Sequence, residues 1–104
     1  MTEPDLYAAT LVVPVALSRV DALAVVALAR DESVEGIGSS RPRVQLGGGA
    51  WVEVEIPKFG DPPPVALDVY STRSDDHARL EALRLAADLE RVAGWSIHPD
   101  FELD

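Results

Sequence analysis

Residues 51–56 alternate without a break, with Val52, Val54 and Ile56 on one side of an extended chain and Trp51, Glu53 and Glu55 on the other. Residues 65–70 repeat the pattern, with Val65, Leu67 and Val69 opposed by Ala66, Asp68 and Tyr70. Side chains on a strand have a period of two, so each segment turns one face to a core and the other to water. A fold built on these strands carries a sheet that is open on one side.

The rest of the chain supplies the partners for that sheet. Tyr7, Ala9, Leu11, Val13 and Val15 share one face of a segment rich in aromatic and β-branched types, which predicts a largely buried strand over 7–15, ended by Pro14. Ser18 opens a Ser-x-x-Asp cap, and the run from Val20 to Arg30 is apolar nearly all round. That composition predicts a helix packed on more than one side. Val44-Gln45-Leu46 is a short apolar segment before Gly47-Gly48-Gly49, a turn sequence that accepts positive φ. Pro57 to Pro64 reads as a stiff loop. Ser74 is a good N-cap with Asp75 and Asp76 in the first turn, and Gly94 is the expected stop. Between them Ala78, Ala82, Leu85, Ala86, Leu89, Val92 and Ala93 form one apolar stripe, with His77, Glu81, Arg84, Asp88 and Arg91 on the wet face. Beyond Gly94, alternation from Trp95 through Ile97, Phe101 and Leu103 predicts a last strand, placed at a sheet edge by Pro99.

The expected fold is a single α+β domain over 1–104. It is a two-layer sandwich of a four- or five-stranded, mostly antiparallel sheet with two helices on one face, ferredoxin-like or a variant of it. Val, Leu, Ile and Phe make 30 of the 104 residues, enough for a packed core. The expected core includes Leu11, Val13, Leu23, Val54, Leu67, Val69, Leu85, Leu89 and Ile97.

Charge and residue types narrow the chemistry. Nine Lys and Arg stand against 18 Asp and Glu, a net charge of −9 that argues against nucleic acid and anionic membrane as direct partners. The acidic opening Met1-Thr2-Glu3-Pro4-Asp5 lacks the basic start of a secretory signal. Ser18, Arg19 and Asp21 interrupt the apolar stretches 6–17 and 22–29 before either reaches membrane-spanning length. A cytoplasmic protein is the expectation. With no cysteine there is no disulfide, thiolate site or thiol nucleophile.

Gly36-Ile37-Gly38 lacks the third glycine of a dinucleotide fingerprint, and Gly47–Gly49 leads into a strand rather than a phosphate-binding helix. His77 and His98 are too few for a structural zinc site. Glu53, Glu55 and Asp68 could gather round a hard cation, but solvated carboxylates are the simpler reading of an open face. No Gly-x-Ser-x-Gly elbow is present. Ser71-Thr72-Arg73-Ser74 precedes a helix, a usual place for anions, yet Asp75 and Asp76 already occupy that dipole, so capping is the better account. The sequence therefore assigns no catalytic residue, no metal and no cofactor.

The remaining feature is the open face. If strands 51–56 and 65–70 are neighbours, Trp51, Glu53, Glu55, Asp68 and Tyr70 lie together. Aromatic rings ringed by carboxylates suit docking of a basic protein: the rings supply contact area and the charges steer encounter. A second copy of the chain is the other candidate occupant, through this face or the C-terminal apolar residues. By analogy, immunity, antitoxin or adaptor proteins use acidity this way. The alternative expectation is a ligand-binding or cofactor-free enzyme domain with a cleft between sheet and helices, near Tyr7, Trp95 or His98.

Overall fold

The computed structural model describes residues 6–15, 17–39, 41–55 and 65–101. Pairing across the open-faced strands sets the architecture. Strand β1 (Tyr7–Val13) lies against β5 (Val65–Ser71), with Leu11 opposite Leu67 and Tyr7 opposite Ser71. On the other side of β5 runs β4 (Ala50–Glu55), with Val52 opposite Val69. Strand β3 (Arg43–Gly47) and the two-residue β2 (Val34–Glu35) extend the sheet beyond β4, and β6 (His98–Pro99) closes the far edge against β1. The order is β2-β3-β4-β5-β1-β6, and every pairing is antiparallel.

Two helices, α1 (Arg19–Arg30) and α2 (Asp75–Ala93), cover the face that carries Leu11, Val13, Val44, Val52, Leu67 and Val69, all fully or nearly fully buried. The nine core residues expected from alternation and helical periodicity are all buried. The caps form as their sequences imply. Ser18 Oγ accepts from Asp21 N at 3.1 Å, Ser74 Oγ accepts from His77 N at 3.0 Å, and Gly94 turns left-handed with φ of 69°. In the hairpin turn between β3 and β4, Gly48 and Gly49 have φ of 63° and 87°. Two consecutive positive values are what a type I′ turn requires.

Several expectations need correcting. Helix α1 is packed on one side only: Ala22, Leu23, Val26 and Ala27 are buried, whereas Val20 is 52% and Leu28 75% exposed, with Ala24 also outside. A two-layer fold has no third layer to cover the outer ridge of a helix, however apolar that ridge is. Val92 is exposed rather than part of the stripe. The 19 residues of α2 span about 28 Å at helical rise. The 7-residue strands beneath it reach only about 23 Å, less than the helix, and in its last turn Val92 is exposed while Ala93 is half-buried. The first strand stops at Val13, before Pro14, rather than at Val15. Segment 43–46 does pair as a strand, and Val34–Glu35 adds a short sixth strand that no alternation around it announces. The final segment contributes only the short His98–Pro99 strand, followed by one more backbone bond to β1, Asp100 N donating to Thr10 O at 2.8 Å. Pro99 sits at the sheet edge, where among the described residues no further strand needs its N–H. Ile56, the Pro57–Pro64 loop and Glu102, Leu103 and Asp104 lie outside the described residues. Among the described residues no helix is long and apolar enough to cross a membrane.

Candidate functional site

The pairing of β4 with β5 puts Trp51 opposite Tyr70, Glu53 opposite Asp68 and Glu55 opposite Ala66, all on the face the helices leave uncovered. The five residues singled out from the sequence therefore share one surface. The rings of Trp51 and Tyr70 stack with centroids 5.7 Å apart and planes at 26°. The Arg43 guanidinium lies 5.2 Å from the Trp51 centroid, close enough for a cation–π contact.

The carboxylates of this face are not equivalent. Glu53 accepts from Arg41 Nε and from a terminal Arg41 nitrogen, each at 3.0 Å, and from Trp51 Nε1 at 2.9 Å. Asp68 accepts from Thr10 Oγ1 at 2.7 Å. Glu35 accepts from Gln45 Nε2 at 3.2 Å, and Arg43 Nε stands 3.7 Å from the same oxygen. Glu55 is exposed at the end of β4. Burial works to raise the Glu53 pKa, but the hydrogen bonds from Arg41 and Trp51 and the charges of Arg41 and Arg43 together hold it below the ordinary 4.5. The Tyr70 hydroxyl is raised above 10.0, by partial burial first and then by the Asp68 and Glu53 charges.

Arg41 and Arg43 belong to this face and were not among the residues the sequence pointed to. The signal was present in part. Once Val44 pairs with Val52, Arg43 and Gln45 must share the side of Trp51. A mixed-charge plate with an aromatic centre results, in place of a bare acidic patch. Glu53, Glu55 and Asp68 do not converge, and among the described residues no three acidic or histidine side chains form a metal-holding group.

A second cluster lies at the start of α2. Ser71 Oγ and His77 Nδ1 share a 2.7 Å hydrogen bond, Arg73 N donates to Ser71 Oγ at 3.0 Å, and Glu81 stands 3.8 Å from His77 Nε2. The Ser–His–Glu sequence of contacts resembles a nucleophile relay, but Ser71 has 0% exposure and no substrate can reach it. The chain of contacts joins β5 to α2 instead. Glu81, expected on the wet face, is only 6% exposed. Arg84 of its own helix donates to it at 3.2 Å and Arg30 of α1 lies 3.8 Å away, so the interhelical seam covers it. Beside this cluster opens a cleft of about 440 Å³ lined by Arg30, Gly48, Arg73, His77 and Arg84 among others. Tyr7, Trp95 and His98, the expected neighbourhood of a ligand cleft, do not line it.

Comparison with protein-family models, curated proteins and solved structures finds no match for this chain.

Proposed function

We propose that the chain is a non-enzymatic interaction domain that docks a basic protein on its open sheet face, with Trp51 and Tyr70 at the centre and Glu53, Glu55 and Asp68 around them. The observation that carries this reading is the half-buried Trp51–Tyr70 stack on an uncovered sheet, held by the Arg41–Glu53 clamp beneath it. Rings fixed before binding lose little entropy on docking. The net charge of −9 favours encounter with a basic surface and disfavours a second copy, which brings the same charge. We also read the fold as a ferredoxin-like sandwich with an added edge. Strands β6-β1-β5-β4 follow the 4-1-3-2 order of a split β-α-β unit, and β3 and β2 extend it. That fold hosts many unrelated functions, so it adds nothing to the choice of partner. The absence of cysteine and of asparagine glycosylation sites suits a reducing, cytoplasmic setting.

The test begins with proteins retained from native lysate, each then purified and titrated against the wild type and two variants, Glu55→Lys and Trp51→Ala. The reading requires a partner of net positive charge whose affinity falls about tenfold or more in both variants, about 1.4 kcal/mol of binding, while each variant still folds. Retention that is unchanged in both variants, or association only with a second copy, would overturn it.

A further inference from the structure

Three of the nine Lys and Arg residues of this acidic chain converge on the cleft beside α2. Arg30 enters from the end of α1, Arg73 from the connection between β5 and α2, and Arg84 from the middle of α2, with the Gly47–Gly48 turn as the facing lip. The carboxylates nearby are already matched. Glu81 takes Arg84 at 3.2 Å and Arg30 at 3.8 Å, while Asp88 takes Arg30 at 3.1 Å and Arg91 at 2.8 Å. Arg73 is exposed and forms no ion pair with a described residue. Among the residues that line the cleft, three guanidinium groups face one carboxylate, Glu81, which leaves two positive charges in excess in a molecule whose net charge is −9.

The turn leaves that charge open to solution. Gly48 stands at the lip of the cleft, where a Cβ would reach His77 Nε2 at 3.4 Å and an Arg73 terminal nitrogen at 3.8 Å, ordinary contact distances. Arg30 is fixed by its two carboxylates and by Leu46 O at 3.3 Å, so it contributes field rather than a free hydrogen-bonding edge. Arg84 is 61% exposed at its side chain, and together with Arg73 it offers unsatisfied N–H groups. Leu46 and Leu80 add apolar wall.

We propose that this cleft binds a small organic phosphate, with the phosphate between Arg73 and Arg84 and the organic group against Leu46 and Leu80. Guanidinium groups match phosphate oxygens in charge and in fork geometry. A dianion, rather than a single carboxylate, balances the excess of two. The proposal is independent of the sheet-face reading, because none of the cleft residues lies on that face.

Titration calorimetry with phenyl phosphate, inorganic phosphate and benzoate, at moderate salt, tests it. Saturable binding is expected for phenyl phosphate, weaker binding for inorganic phosphate and for benzoate. Arg73→Gln should weaken phenyl phosphate binding about tenfold, and adding Arg84→Gln should abolish it, whereas Arg79→Gln, outside the cleft beside Asp76, should leave it unchanged. Arg73→Gln breaks no ion pair among the described residues, so it remains informative if the double variant fails to fold. Absence of saturable phenyl phosphate binding, unchanged binding in Arg73→Gln, or benzoate binding as tight as phenyl phosphate would each overturn the proposal.

Discussion

Arg41 grips Glu53 from two sides, donating through Nε and a terminal nitrogen to different carboxylate oxygens at 3.0 Å each. The same carboxylate takes the Trp51 indole N–H at 2.9 Å, so one acidic side chain fixes both a cation and a ring that stacks on Tyr70. This knot ties a cation, a carboxylate and a ring together on the open face, and Arg41 offsets part of the negative charge there.

The knot has a pH signature. Glu53 is held below its ordinary 4.5 in the folded state, so its contribution is complete above that value and is lost as pH falls through the lower, folded one. Acid unfolding followed by circular dichroism should begin at higher pH in Glu53→Gln or Arg41→Gln than in the wild type. Near neutral pH, Arg41→Gln should change stability little, since Arg41 is an exposed surface partner.

Tyr70 should titrate above 10.0, because burial and the charges of Asp68 and Glu53 oppose its ionisation. Tyrosinate absorbance, compared with that of Tyr70→Phe to isolate the residue, measures it. Asp68→Asn should bring the Tyr70 midpoint down. A midpoint that rises or stays fixed in that variant would show that the carboxylate does not act on the ring.

Two leucines of similar sequence context should behave oppositely. Leu85 is fully buried on α2, and Leu85→Ala should destabilise by about 2–5 kcal/mol through lost burial and a cavity. Leu28 stands 75% exposed on α1, and Leu28→Lys should change stability by under about 0.5 kcal/mol. Urea denaturation of the pair measures both. A large loss at Leu28 would mean that something covers the outer ridge of α1.

Ser71→Ala removes a buried hydroxyl that serves His77 and the Arg73 amide. The variant should lose about 1–3 kcal/mol, because both partners are left short of a bond. Thermal unfolding reads this directly. Ser71→Cys, close in shape but weak as a hydrogen-bonding group, should recover little of it.

Much of this arrangement was readable from pattern. Alternation at 51–56 and 65–70 located the core face and the open face, and Ser74 and Gly94 bounded the second helix. What failed were judgements that depend on distant neighbours. Glu81 looks like a surface residue because helical periodicity sees only its own helix, and Arg30 of α1 is what closes over it. Val20 and Leu28 look like core because composition does not reveal how many layers a fold has. Arg41 owes its place on the sheet face to β3 lying beside β4, a pairing that three short residues 44–46 announced only faintly.

The sheet order also governs how the chain comes off the ribosome. Strand β1 is synthesised long before β5, its neighbour across the register Leu11–Leu67, and before β6 on its other side. Until residues 65–71 emerge, an apolar strand with Leu11 and Val13 has no edge to join and is open to chaperones or to aggregation. The β3–β4 hairpin closes through its glycine turn without waiting for either. Pulse-labelled hydrogen exchange during refolding should accordingly protect the β3–β4 amides first and those of β1 late; protection of β1 ahead of the hairpin would reverse that order.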